Sequence, residues 1–288
     1  MNPALLRSDA ARAARALRVR ARRDVSTSLT GAYRSAFRGQ GLTFEELRDY
    51  VPGDDVRWLE WNATARIGRP IVKRMREERD VVIALLVDLS PSLDFGLAGA
   101  TKLEAVRRAA AALAAAATAA QDRIALAVFA EGLLRTLPPA SGRPALERVF
   151  RALEVPSAGE FTDAGAALGW AAEKLPRHSV VVLISDFLFP DPGAELRRCA
   201  SKHDLVALCV RDPADRPVRK LPPVRVRDAE LRRARLWRGS AVAEAALGAA
   251  LPERTLRAIG ADFGELWTGT RLLPSLLRFF EKRARRRH

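Results

Sequence analysis

Five residues with oxygen-bearing side chains stand where a hard metal ion could use them. Asp88, Ser90 and Ser92 occupy alternate positions in one stretch, and Thr162 and Asp186 follow later in the chain. Carboxylate and hydroxyl oxygens suit Mg²⁺ or Mn²⁺ better than Zn²⁺. Two Asp and three hydroxyls would leave coordination places for water, and an open place can accept a carboxylate from a partner. Competing chemistry is poorly supported. A phosphatase using Asp88 as nucleophile needs a second Asp two residues on as acid/base, and Ser90 holds that position. No Gly-x-Ser-x-Gly elbow is present and no Gly-x-x-x-x-Gly-Lys phosphate loop, while His178, His203 and His288 are isolated in sequence. The expected class is a binding module and not an enzyme, with a metal-dependent enzyme of unknown substrate as an alternative.

The elements that must position these residues are legible. Val81–Val87 is a continuous apolar run that ends on Asp88, and Ser179–Ser185 is a second that ends before Asp186. Short, β-branched apolar runs without helical spacing predict strands buried on both faces, as in a parallel sheet. Between and after them the pattern alternates. Helices are predicted over Lys102–Gln121, Arg143–Leu153, Asp163–Leu175 and Pro192–Lys202, and strands over Ile124–Ala130, Leu205–Val210 and Val224–Arg227. Leu133–Leu137 reads as a short edge strand ended by Pro138-Pro139, and two last helices, Ala241–Arg257 and Leu272–Arg287, flank Gly260–Leu266. This is an α/β doubly wound, mostly parallel sheet. Its parallel strands end on one edge, so Asp88 and Asp186 can converge there.

Residues 31–79 differ. Glycines and prolines punctuate short segments, and acidic and basic residues interleave, which predicts a small, irregular, β-rich extension stitched by ion pairs. Pro52-Gly53-Asp54-Asp55 is a turn signal, with Arg48 or Arg57 as ion-pair partner. Trp58 and Trp61 are read as packing residues. Ahead of it, residues 3–22 read as a basic helix and 24–30 as a linker, so the chain divides into 1–30, 31–79 and 80–288.

Net charge is +15, and residues 1–23 and 278–288 carry +6 and +5 of it. Basic ends of this kind are usually solvated, and contact with an anionic membrane surface or nucleic acid is the sharper alternative. Cys199 and Cys209 read as buried free thiols, which fits a reducing, cytoplasmic setting. No stretch is apolar enough to predict a transmembrane helix, since Ala109–Ala120 is too short and directly follows Arg107-Arg108.

Asp88-x-Ser90-x-Ser92 with Thr162 and Asp186 resembles the metal-ion-dependent adhesion site of von Willebrand factor type A domains. The upstream residues narrow the match. Gly39-x-Gly41, Glu45, Arg48-Asp49-Tyr50, Pro52-Gly53-Asp54-Asp55-x-Arg57, Trp61, Thr64-Ala65-Arg66, Pro70, Val72-Lys73 and Glu78-Arg79 look like the signature of the domain-of-unknown-function family numbered 58, which couples such a block to a von Willebrand type A-like domain. The resemblance implies Asp88, Ser90, Ser92, Thr162 and Asp186 as metal ligands, a partner Asp or Glu completing the shell, and work beside a MoxR-type AAA+ ATPase in complex assembly or maturation. Three positions depart from the pattern: Glu160-Phe161 replaces small residues before Thr162, Leu93 a common Met, and Glu60 a common Asp.

Overall fold

The computed structural model describes residues 27–37, 42–77, 81–96, 99–159, 161–215, 224–227, 234–237, 251 and 253–287. The expected helix over 3–22 and most of that over Ala241–Arg257 lie outside them. Six strands form the central sheet: β3 (Val82–Asp88), β4 (Arg123–Phe129), β5 (Leu133–Ala140), β6 (Val180–Ser185), β7 (Asp204–Arg211) and β10 (Asp262–Trp267); the expected strand Val224–Arg227 is β8, which pairs antiparallel with β9 (Ala234–Trp237) in a sheet of its own. The order of the six is β5-β4-β3-β6-β7-β10, parallel throughout except for β5. The chain thus starts the sheet in the middle, builds outward to β5, then returns beside β3 and builds the other way. The order reverses between β3 and β6, and in open α/β sheets the crevice for ligands lies outside the strand ends at that point.

Both faces are covered, as the uninterrupted apolar run of β3 requires. Ile83, Leu85 and Val87 face a layer made by α1 (Thr27–Phe37), α3 (Lys102–Ala119), α4 (Gly142–Ala152) and α8 (Leu272–Arg287). Val82, Ala84 and Leu86 face α5 (Gly165–Lys174), α6 (Ala194–Lys202) and α7 (Glu253–Ala258). Helix α3 is buried along Ala109–Ala117, and its small side chains let it lie between the sheet and the outer pair α1 and α8. Both cysteines are free and buried, Cys199 on α6 and Cys209 on β7. Burial pushes each thiol up to about 12, which leaves them inert as nucleophiles.

Several elements differ from the expectation. Residues 24–30 are not simply a linker, because Thr27–Thr30 open α1. Leu29, Tyr33, Ala36 and Phe37 repeat at helical spacing and are buried, and Tyr33 donates to Asp122 Oδ2 at 2.8 Å. Gly260–Leu266 is not a loop between helices, since Asp262–Trp267 adds a parallel edge strand to β7. Its apolar pattern is interrupted by Gly264, which admits the Phe279 ring so closely that a Cβ would sit 2.4 Å from a ring carbon. Strand β5 continues through Pro138-Pro139 instead of ending before them, which an edge strand tolerates because missing N–H groups can face outward.

The segment ahead of the sheet is a two-stranded antiparallel ribbon, β1 (Leu42–Asp49) with β2 (Ile71–Glu77), enclosing the short helix α2 (Trp61–Ile67). Strand β2 pairs with β1 and not with the central sheet. Gly68 ends α2 in the left-handed conformation, its N–H bonded to Thr64 O. The acidic turn works as expected: Arg48 pairs with Asp54 and Arg57 with Asp55, each at 2.6 Å. These hydrogen bonds hold both carboxyls below their usual range. Trp58 and Trp61 do not pack inside; Trp61 is 70% exposed, with Val51, Val56 and Ile67 also exposed nearby in the chain. The ribbon is too small to bury every large side chain it carries.

Leu272–Arg287 is one helix, and Arg283 is buried, 1% exposed, where it bridges Asp204 of β7 and Asp262 of β10. Its guanidinium also donates to Ala36 O and lies 4.9 Å from the Phe37 ring centroid. One side chain therefore joins α8, α1 and two strands. Replacing Arg283 by Met should lower unfolding stability by roughly 3–5 kcal/mol in urea titrations, because it removes the buried cation that bridges Asp204 and Asp262 and leaves Asp262 with the half-exposed Arg286 at 3.8 Å.

Candidate functional site

The carboxyl edge of the sheet gathers the residues singled out by sequence. Asp88 is the last residue of β3, and β6 ends on Ser185 so that Asp186 stands just beyond it. Asp88, Ser90, Thr162 and Asp186 are all buried. Ser90 N–H donates to Asp88 Oδ1 at 2.8 Å, and Ser185 Oγ donates to Asp88 Oδ2 at 2.6 Å. A 3-10 turn over Pro91–Asp94 then turns the chain back, with Ser92 Oγ 2.9 Å from Ser90 Oγ. Thr162 comes to the same edge because its loop is fastened there: Asp163 N donates to Ala130 O, just past the end of β4, and Ala158 N to Leu89 O. Asp163 itself turns back onto Gly165 N. Glu160 lies outside the described residues, and its neighbour Phe161 is exposed.

Asp186 is held by groups that sequence reasoning missed. Lys102 Nζ lies 2.7 Å from Asp186 Oδ2 and 3.6 Å from Asp215 Oδ1, and the Lys102 and Asp186 side chains are each 2% exposed. Lys102 is the first residue of α3, set by a capping box in which Glu104 N donates to Thr101 Oγ1 and Thr101 N to Glu104 Oε2. A cation in the first helical turn opposes the helix dipole. That mismatch was the available signal that Lys102 serves the strand ends and not the helix. Burial alone would favour its neutral form, but attraction to Asp186 and then Asp215, with their hydrogen bonds, outweighs it and raises its pKa. After Asp186, Phe187 takes a left-handed backbone at φ 59°, with its N–H on Ser185 Oγ. That conformation is costly for a bulky residue and marks a turn held by its surroundings.

The donor set fits a hard divalent cation. The Ser90 and Ser92 hydroxyls are hydrogen-bonded to each other at 2.9 Å, which keeps two hard oxygen donors together on the loop after Asp88. Asp88 accepts from the Ser185 hydroxyl, the Ser90 N–H and the Ser90 hydroxyl, and a carboxylate's two oxygens still keep a lone pair for a cation. Burial and the neighbouring Asp186 charge push the Asp88 carboxyl up to about 7, so without a metal the site disfavours its own negative charge. Among the described residues no three His, Cys, Asp or Glu side chains cluster as a metal site; the donors here are two carboxylates and hydroxyls.

The family described as "Protein of unknown function DUF58" matches residues 46–239. An uncharacterized protein of Mycobacterium tuberculosis is 32% identical over 299 residues, spanning 98% of this chain and 94% of its own length. The chain belongs to the DUF58 family. The DUF58 match covers the ribbon from Glu46 onward, both central strands and all five candidate ligands. Among solved structures, an aerotolerance-related membrane protein from Bacteroides fragilis shows TM-score 0.47 and 17% identity, over 70% of this chain and 99% of that one. The Rpn10 VWA domain shows TM-score 0.40 and 12% identity, over 68% and 93%. The von Willebrand type A-like α/β fold of this DUF58 chain rests on its own sheet order and not on these superpositions. Among the described residues no helix is long and apolar enough to cross a membrane.

Two outcomes follow from the buried charges. Lys102→Met should cost roughly 3–5 kcal/mol in chemical denaturation, since Asp186 would keep a buried charge without its cation. The raised Asp88 pKa gives a pH dependence of definite sign in metal-free protein. The folded state holds this proton more tightly than the unfolded state, so the contribution is complete below about pH 4 and is lost as pH rises through about 7. The slope should reach at most about 1.4 kcal/mol per pH unit, and Asp88→Asn should flatten it in melts recorded in EDTA.

Proposed function

We propose that this chain is a metal-ion-dependent protein-interaction module in which Asp88, Ser90, Ser92, Thr162 and Asp186 hold Mg²⁺ or Mn²⁺ and a partner's Asp or Glu completes the shell. The observation that carries the reading is the meeting of buried Asp88 and Asp186 at the ends of paired strands, with the hydrogen-bonded Ser90 and Ser92 hydroxyls on the loop that follows Asp88. Bound there, the ion would supply a Lewis-acidic position for a carboxylate oxygen. The chain's own part is to orient the donors. Ser90 N–H and Ser185 Oγ fix the Asp88 plane, and Lys102 and Leu188 N–H fix Asp186.

The finer reading is an adaptor for a MoxR-type AAA+ ATPase in complex assembly or maturation, working in the cytoplasm. Support for it comes from the resemblance of the upstream block and from two buried thiols that need no oxidising compartment. The basic termini are the rival surface. Within the described part of that surface, Arg283 is withdrawn into the core.

Calorimetry tests the metal site: wild type should bind Mn²⁺ and Mg²⁺, and Asp88→Ala should bind neither. Equal binding by both proteins would sink it. For the partner, a purified MoxR-type ATPase should bind wild type and lose binding to Asp88→Ala. The variant is the proper control because the ATPase itself needs Mg²⁺ for its nucleotide.

A further inference from the structure

Three loops at the carboxyl edge carry large apolar side chains that the core does not take in. Phe95 follows the 3-10 turn after Ser92 and is 44% exposed, Leu133 opens β5 at 41%, and Phe161 stands next to Thr162 at 49%. They belong to one connected rim. Leu133 is paired with Phe129, and Phe129 is the parallel neighbour of Asp88. Asp163 N bonds to Ala130 O, which places the Phe161 loop beside the β4–β5 turn. Ser157 Oγ donates to Asp94 Oδ2 at 2.5 Å, which ties that same loop to the segment bearing Phe95.

Among the described residues the exposed charged groups placed on this rim are acidic, and the partly buried Arg107, which donates to Val155 O, lies behind them within electrostatic reach of Asp94. Asp94, Glu131 and Asp163 are exposed around it, whereas Lys102, the cation nearest the ligands in the chain's own structure, is buried against Asp186. Arg135 stands two residues further along β5, opposite Val128. A partner carboxylate would therefore find attraction at the metal position and repulsion from the acids around it.

We infer that this edge docks a partner segment in which a single Asp or Glu is flanked by large apolar side chains and not by further acids. The inference rests on the metal reading above and adds the apolar rim as the part that selects the partner. The carboxylate takes the open coordination place, its apolar neighbours cover Phe95, Leu133 and Phe161, and a polyacidic segment is turned away by Asp94, Glu131 and Asp163. Apolar contacts around one fixed polar anchor are the usual division of labour in small docking sites.

The test uses full-length protein loaded with Mn²⁺ and three fluorescent pentapeptides, Ser-Phe-Asp-Leu-Ser, Ser-Phe-Asn-Leu-Ser and Glu-Glu-Asp-Glu-Glu. The first should bind, the Asn peptide should not, and the polyacidic peptide should bind at least about tenfold more weakly than the first. Phe95→Ser and Leu133→Ser, which leave every ligand residue in place, should each weaken the first peptide about threefold or more with Mn²⁺ affinity unchanged. Equal or tighter binding of the polyacidic peptide overturns the inference, as does indifference to both rim variants, or failure of all three peptides to bind the Mn²⁺-loaded protein. Failure of wild type to take up Mn²⁺ removes the metal reading and this inference with it. Mn²⁺ uptake without peptide discrimination removes the inference alone.

Discussion

Asp88 and Asp186 are brought together at the end of two paired strands in the middle of the sheet, and both are buried. Two carboxylates in a low-dielectric site repel each other and lose their hydration, so the edge has to supply compensation. Lys102 supplies part of it through its contact with Asp186, and Ser185 and the Ser90 N–H supply hydrogen bonds to Asp88. The start of α3 is set by this requirement as much as by helix propensity, since its first residue is a lysine turned to the strand ends. A divalent ion beside Asp88 would complete the compensation that the protein leaves partial, which is why the same residues read both as a strained apo edge and as a prepared site.

At the opposite end of the sheet a second buried charge solves a packing problem. Asp204 and Asp262 begin β7 and β10, and Arg283 reaches both from the last helix. The aromatic cluster of Tyr33, Phe37 and Phe280 lies beside it. The outer helices α1 and α8 are thereby closed over the alanine-rich α3, whose small side chains would bury too little area alone. One buried ion pair organises the ligand edge and another the base of the sheet. The helices between them pack mainly through apolar side chains.

Much of this could be read in the chain. The apolar runs before Asp88 and Asp186 determine two central strands, because a segment apolar on every position has to be covered on both faces. The Pro52–Asp55 turn with its two arginines was also legible, since local acid–base spacing and turn chemistry involve near neighbours. What was misread had long-range causes. Asp262–Trp267 looks like a loop until β7 offers it an edge. Thr27–Thr30 looks like a linker until α8 and α3 cover Leu29. The tryptophans of the ribbon look like core residues until the ribbon proves too small to enclose them.

The site divides along the same line. Residue types and alternate spacing by themselves determined that Asp88, Ser90 and Ser92 would offer oxygen at one strand end, and that Asp186 would end a second buried strand. Only the tertiary structure decided that those strands are neighbours at the reversal of the sheet, that Lys102 takes up the Asp186 charge, and that Phe95, Leu133 and Phe161 ring the edge in an acidic border. The physical reason is that backbone periodicity is a property of adjacent residues. Charge compensation and exposure depend on which distant segments the fold brings within a few ångströms.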